Sequence, residues 1–334
     1  MNAKIIKELP APPTYLSAFK NGFNAVSSHV YVILFPILLD LFLLFGPQFR
    51  ISKLIAPIYN ELINVSQSST IQQLSAADQS QFFDAFKEYL SRINLLSILS
   101  TFPVGIPSVL VPGVIANPLG TPFELSLGSA LPTMGLIILF YLAGVALGVL
   151  YFNSLASLGS ENPQSTTIKS LLWKYLQVLT FAIWLLFMVC IIILPVLFVI
   201  NIIQVINPVI SQVLFFGFLM VILWLAFPLV FTPHGVFAYN QNILAAAFTS
   251  YRLVRNALPS SGLFMSMVIL LYLLSLELWA LPPENSWLIL AGIIGHAFLF
   301  SSLFVSTLYY YRGSINWMRE IINRNPSTTA PIKQ

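Results

Sequence analysis

Three titratable side chains fall within long apolar stretches of the sequence. Asp40 lies in FPILLDLFLLFGP, Glu277 lies in LLSLELWALPP, and His296 lies in the apolar stretch that follows. An ionisable group inside a membrane span is costly and is a functional candidate by default. We interpret the two carboxylates as structural polar anchors and expect the histidine to bond to a neighbouring helix. The alternative is that the three residues form an intramembrane ion or proton site.

No catalytic or metal-binding motif accompanies these residues. The patterns HExxH, GxSxG and GxxxxGK[ST] do not occur in the sequence, so it gives no support to a metalloprotease, a hydrolase or a nucleotide-driven protein. The single cysteine, Cys190, can form neither an internal disulfide nor a cysteine zinc site. We therefore predict that the protein is not an enzyme and that it carries no catalytic residue, cofactor or metal.

The composition places the candidate residues in a membrane protein. Of the 334 residues, 57% are hydrophobic and 8% are charged, whereas a soluble domain has about 25% charged residues. So few charges cannot cover a surface that faces water, which excludes a soluble globular protein and a disordered chain. The net charge of +4 comes from basic residues scattered at the edges of apolar stretches. Nucleic acid is therefore excluded as a partner.

The apolar stretches predict an all-α polytopic membrane protein with six transmembrane helices. A spanning helix needs about 20 mostly apolar residues. The interval between Lys174 and Arg252 has no charged residue and is too long for one crossing, and a polar cluster from Asn201 to Pro208 divides it. The predicted spans are 30–48, 133–157, 176–200, 209–231, 262–281 and 287–311.

The distribution of Lys and Arg predicts the orientation. With six spans, residues 1–29, 158–175, 232–261 and 312–334 lie on one side of the membrane. That side carries 11 basic and 3 acidic residues, against 4 basic and 6 acidic residues on the other. Because basic residues are enriched on the cytoplasmic side, both termini are predicted to be cytoplasmic. The predicted location is the plasma membrane.

Three amphipathic stretches, at 14–28, 165–175 and 242–258, each precede a pair of predicted spans. Their helical period predicts helices that lie in the cytoplasmic headgroup layer, with basic residues near anionic lipid. The basic residues at this surface are Lys20, Lys169, Lys174, Arg252 and Arg255. The chain is thus predicted to contain three parallel repeats of interfacial helix plus helical hairpin. The alternative is that each stretch is an ordinary juxtamembrane helix.

A long extracytoplasmic insertion at 49–132 interrupts the first repeat. Helical spacing occurs at 51–65 and 79–99, and the polar stretch at 67–81 is predicted to be a linker. Residues 102–132 contain six prolines and are nonetheless apolar, so they predict irregular backbone that needs protein around it. We interpret this segment as a packed outer cap, with a lid or a partner-docking surface as the alternative.

Two stretches resemble known membrane-protein families. The plan of amphipathic helix plus hairpin, with AAFTSYRLVRNAL before the fifth span, resembles bacterial six-span proteins related to the glycerophosphodiester phosphodiesterase membrane domain. That resemblance implies a six-span fold, mostly without an assigned activity, and no phosphodiesterase domain is attached. The stretch AFKNGFNAVSSHVYVILFPILLDLFLLFGP is similar to the opening of CysZ-type sulfate permeases, with Asp40 where Asn is more usual. It carries over no anion-binding residue.

Three classes of function follow from the sequence. The first is a non-catalytic scaffold or subunit of a membrane complex, whose partners are the lipid bilayer and either another membrane protein or further copies of the chain. The second is a permease or channel for a small solute or ion that uses Asp40 and Glu277. The third is a lipid-modifying enzyme, which would need a cluster of His, Asp and Glu at one membrane interface. The first is the prediction, and the second is its main alternative.

Overall fold

The computed structural model describes residues 13–57, 59, 61, 76–111, 113–158 and 166–324. The polar stretch at 67–81, predicted to be a linker, falls mostly outside these residues, and only 76–81 of it is described. Those last residues are not a linker, because a helix begins at Ala76.

Helices make up most of the described chain. They are α1 (Tyr15–Ser28), α2 (Leu34–Phe45), α3 (Ala76–Arg92), α4 (Ala130–Leu158), α5 (Ile168–Met188), α6 (Leu194–Ile206), α7 (Pro208–Ala226), α8 (Thr232–Tyr239), α9 (Ile243–Asn256), α10 (Leu258–Ala280) and α11 (Ile289–Arg324). Short 3-10 turns occur at Val30–Ile33, Leu95–Leu99 and Phe227–Leu229, and a π-helical turn at Val189–Ile193 joins α5 to α6. Residues 52–57 are also helical. Two short strands, β1 (Gln48–Arg50) and β2 (Glu124–Ser126), pair in parallel.

Five helical segments are long and apolar enough to cross a membrane. They are Ala130–Leu158, Ile168–Ile206, Pro208–Tyr239, Leu258–Ala280 and Ile289–Ile321. Within the described residues, a sixth candidate arises if the bent pair Tyr15–Ser28 and Val30–Phe45 is counted as one span. The prediction of an all-α polytopic membrane protein is confirmed, and the described part of the chain has five or six candidate spans. The predicted span at 30–48 differs most, since α2 has 12 residues and its length of about 18 Å is too short to cross alone.

The three predicted interfacial helices differ from one another in the structure. The first corresponds to α1 and the third to α9, which are separate helices. The second is not separate, because the helix that begins at Ile168 continues through the π-helical turn to Ile206. Thr167 caps its start by accepting a hydrogen bond from the Ser170 backbone N–H. The threefold repeat therefore stays a prediction.

The chain divides into two compact units. Unit 1 comprises Met1–His29, Phe152–Leu271 and Ser302–Gln334. Its described core is an aromatic and aliphatic cluster that includes Phe231, Phe264, Tyr310 and Tyr311. Unit 2 comprises Val30–Tyr151 and Tyr272–Ser301, and it contains α2, the insertion and both strands.

Candidate functional site

Asp40 is fully buried in unit 2 and binds the Pro-rich part of the insertion. Its carboxylate accepts hydrogen bonds from the Ser108 hydroxyl and, at 3.3 Å, from the Val109 backbone N–H. The Ser108 oxygen in turn accepts the Leu110 backbone N–H at 3.1 Å. The carboxylate thereby satisfies backbone donors that no helix or strand satisfies. In this geometry Asp40 is an anchor for irregular backbone.

The same irregular segment lies against the middle of α4. The Tyr141 hydroxyl donates to the Phe102 carbonyl at 3.2 Å. A Cβ atom added at Gly144 would lie 2.7 Å from the Leu99 carbonyl oxygen, and one at Gly148 would collide with the Val104 carbonyl. Because Gly148 is ten residues, or about 15 Å, from the end of α4, the irregular chain reaches span depth. Because these two positions lack a side chain, the backbone near Leu99 and Val104 can pack directly against α4.

Side chains satisfy much of the remaining backbone around this segment. The Ser100 hydroxyl donates to the Ile106 carbonyl at 2.5 Å. Two carbonyls near the end of α2 accept from side-chain amides: Leu44 from Asn117 at 2.9 Å, and Leu43 from Gln48 at 2.8 Å. The apolar side chains of the segment that are buried are Val104, Ile106, Val109, Leu110 and Val114. The stretch from Val104 to Leu110 is thus packed inside unit 2, whereas Phe102, Leu119 and Phe123 are exposed.

Within unit 2, buried and half-buried ion pairs join the other parts of the insertion to their neighbours. The buried Arg50 guanidinium pairs with Glu124 at 3.1 Å and donates to the carbonyls of Arg92 and Val114. Arg92 pairs with Glu284 at 2.7 Å, on the connection between α10 and α11. Glu284 also accepts the Ile115 backbone N–H at 3.0 Å. These contacts connect β1, α3 and the Pro-rich segment to the spans.

The structure does not bring Asp40, Glu277 and His296 into one cluster. Glu277 is exposed on α10. His296 is fully buried, and its Nδ1 lies 3.2 Å from the Ser275 hydroxyl, whereas its Nε2 has no hydrogen-bond partner within the described chain. Ser275 and Glu277 are two residues apart and so occupy different faces of α10. Within the described residues, no three His, Cys, Asp or Glu residues could together hold a metal ion.

The predicted membrane-surface basic residues are exposed except for Lys174. The exposed ones are Lys20, Lys169, Arg252 and Arg255. Lys174 is buried, donates to the Asn153 side chain at 2.7 Å and lies 5.8 Å from the centre of the Phe237 ring. Lys174 is buried because the apolar face of its helix points outward: Ile168 and Leu172 are 87% and 58% exposed. In a membrane, lipid can cover an apolar face while the polar face packs inward.

Unit 1 contains a basic cavity that the sequence analysis missed. Its volume is about 770 Å³, within the range of small-molecule sites. The residues that line it are Pro13, Thr14, Ser17, Ala18, Asn21, Leu158, Ala238, Tyr239, Tyr309, Tyr310, Arg312, Gly313, Asn316 and Arg319. Arg312, Asn316 and Arg319 are four and three residues apart and share one face of α11. That spacing was the available signal, but these arginines were counted only toward the orientation of the spans.

The walls of the basic cavity are held by contacts within unit 1. Arg312 donates to the Ala156 carbonyl at 3.0 Å. The Tyr310 ring stacks on Phe264 with centroids 4.2 Å apart, and its hydroxyl lies 3.2 Å from the Ser261 hydroxyl. Arg312 is half-buried and Arg319 is exposed. The cavity thus has one fixed arginine and one at its opening.

Comparison with known proteins adds no family to this description. The chain matches no family model, no curated protein and no solved structure. The two resemblances drawn from the sequence therefore stay predictions.

Proposed function

We propose that the protein is a non-catalytic component of a membrane assembly, either a scaffold or a subunit. The observation that supports this function is the separation of the three intramembrane polar candidates. Asp40 is bonded to Ser108 and Val109, His296 is packed beside Ser275, and Glu277 is exposed. A reaction or a coupled ion site needs its polar groups to converge on one place. Their separation favours structural roles for Asp40 and His296.

The apolar hairpin formed by Ile168–Ile206 and Pro208–Tyr239 gives the scaffold a surface within the membrane. In the most apolar stretches of these helices, 6% and 0% of the residues are buried. The corresponding stretch of Ile289–Ile321 is 56% buried. These most apolar stretches therefore stabilise little of the chain's own core, and their sides are open to other membrane components.

Purification at native expression in a mild detergent tests the proposal. We expect a protein to co-elute in fixed stoichiometry, with mass spectrometry giving its identity. Photocrosslinkers at Phe216 and Trp224, both exposed on α7, are expected to capture that protein. As a control, a crosslinker at Leu44, buried in unit 2, is expected to capture nothing. Elution of the chain alone, or with lipid only, would contradict a scaffold or subunit role.

A permease or channel is the second candidate, and the irregular segment beside Gly148 is what favours it. Non-helical backbone at membrane depth is typical of transporters and channels, where it lines a path or is enclosed by protein. Purified protein in liposomes loaded with an ion-sensitive dye tests this function. A flux that Asp40→Asn abolishes, and that an empty-liposome control lacks, would support a permease. No flux above the control would leave the scaffold as the better account.

A further inference from the structure

We propose that the basic cavity of unit 1 binds a dianionic phosphate group, as in inorganic phosphate or a phosphate monoester. The charged residues among the described residues that line it are Arg312 and Arg319, and neither Asp nor Glu is among them. Neutral donors line the cavity together with the two arginines: Asn21 and Asn316 contribute amides, and Tyr239 contributes a hydroxyl. A lining of two positive charges and several neutral donors matches a multiply charged oxyanion.

The spacing on α11 suits a tetrahedral anion. Arg319 follows Arg312 by seven positions, which is about 10 Å along the helix axis, and Asn316 lies between them on the same face. Two long arginine side chains can reach one phosphate group from these positions. Each then presents a planar fork of donors to the phosphate oxygens. Tyr239 of α8 lines the same cavity as both arginines. These three α11 residues and Tyr239 therefore define the phosphate position.

The cavity is built in advance of any ligand. The Ala156 carbonyl fixes one donor of Arg312, so this arginine loses little conformational freedom on binding. Gly313 lets the chain at Pro13 approach α11, since a Cβ at this position would lie 3.0 Å from the Pro13 ring. That approach brings Ser17 and Asn21 of α1 to the cavity. The donors from α1 and α11 thus face one space.

Two sources can supply the phosphate group. The lining segments at 13–21, 238–239 and 309–319 belong to parts of the chain predicted to lie at or near the cytoplasmic membrane surface, and Tyr309 and Tyr310 suit that level because tyrosine is enriched at membrane interfaces. A phospholipid headgroup carries its phosphate at this depth. A soluble phosphorylated compound would enter from the cytoplasmic side. Both present the same chemistry to Arg312 and Arg319.

Binding to the purified full-length protein in an uncharged detergent tests the site. The probes are dihexanoyl phosphatidic acid, inorganic phosphate and, as a zwitterionic comparison, dihexanoyl phosphatidylcholine, all at matched ionic strength. We expect phosphatidic acid to bind and to raise the thermal unfolding midpoint. Arg319→Gln is expected to weaken binding by about tenfold or more, because it removes a charge-assisted pair. Asn316→Ala is a second variant, which removes a lining amide and leaves both arginines in place.

Arg255→Gln is the matched control, since Arg255 is exposed but does not line the cavity. We expect this variant to bind within about twofold of the unchanged protein. Binding of phosphatidic acid without inorganic phosphate would identify a lipid headgroup as the source, and tighter binding of inorganic phosphate than of phosphatidic acid would identify a soluble phosphate compound. Equal weakening by Arg319→Gln and Arg255→Gln, equal binding of phosphatidylcholine, or no binding of either phosphate probe would overturn the proposal. Co-elution with a protein partner has no bearing on these outcomes.

Discussion

The Pro-rich segment of unit 2 and the apolar hairpin of unit 1 satisfy their backbone hydrogen bonds in opposite ways. The segment has no long helix, its stretch from Val104 to Leu110 is buried in unit 2, and its backbone is bonded to Asp40, Ser100 and Tyr141. The hairpin is helical, and its most apolar stretches are 6% and 0% buried. A helix satisfies its own backbone, so lipid can surround it, whereas irregular chain needs protein partners. Backbone hydrogen bonding thus decides which region needs a protein environment.

Truncation of a buried leucine is expected to show the largest difference between the two regions. Leu44 in α2 is fully buried, whereas Leu223 in α7 is 55% exposed. Leu44→Ala is expected to lower the free energy of unfolding by about 2 kcal/mol or more, because it leaves a cavity. Leu223→Ala is expected to change it by less than about 0.5 kcal/mol. Unfolding in detergent, followed by tryptophan fluorescence, measures both. Equal losses would show that the hairpin is packed as tightly as unit 2.

A matched pair of glycine substitutions sharpens the same comparison. Gly148→Val would force a side chain into the Val104 carbonyl, whereas nothing lies within 4 Å of a Cβ at Gly217 in α7. We expect Gly148→Val to destabilise the protein by about 1–3 kcal/mol. Gly217→Val is expected to be neutral or slightly stabilising, because glycine is a poor helix former. The unfolding midpoint measures both, and an unaffected Gly148→Val variant would mean that the segment does not lie against α4.

Removal of the Asp40 carboxylate tests how the irregular backbone is satisfied. Asp40→Ala leaves the Ser108 hydroxyl and the Val109 N–H without their acceptor, at an expected cost of about 1–3 kcal/mol. Asp40→Asn is expected to cost less, because its amide oxygen still accepts one hydrogen bond. Glu277→Ala is the control, since Glu277 is exposed. Hydrogen exchange at Val109 is expected to rise in Asp40→Ala alone. Equal protection in all three variants would contradict the anchoring role.

The pair between Arg92 and Glu284 is expected to give the smallest effect. Both side chains are 31% exposed and their charged atoms are 2.7 Å apart. A double-mutant cycle with Arg92→Met and Glu284→Gln is expected to give a coupling of about 0.5–1 kcal/mol. High salt should reduce the coupling, because solvent ions screen a half-exposed pair. A coupling energy that salt leaves unchanged would show that the two side chains are more buried than 31% exposure implies.

Hydropathy located most of the candidate spans, and the prolines located the irregular segment. The predicted span at 133–157 lies within α4, and 262–281 nearly matches α10. The span at 30–48 was predicted less well, because α2 is short and its surroundings include residues from 95–118. Contacts between residues so far apart along the chain have no local pattern, so composition could not predict them.

For the site residues too, the sequence predicted which residues are unusual but not the partners they contact. Burial cost alone singled out Asp40, but the identity of its partners, Ser108 and Val109, depends on where the insertion folds back. Lys174 was placed on an exposed basic face, and it is buried. Its amphipathic stretch defines two faces without saying whether lipid or protein covers the apolar one. Arg312 and Arg319 were visible as charges, yet their cavity needs α1 and α8 to complete it.

The sequence by itself determined that this chain is an all-α membrane protein, because its few charges and long apolar runs permit no other class. It also determined where irregular backbone must occur, since six prolines at 102–132 prevent a long helix. Only the tertiary structure decided that Asp40 anchors this backbone and that Gly144 and Gly148 admit it. The physical reason is that hydrophobicity acts locally along the chain, whereas a buried polar group depends on partners supplied by distant residues.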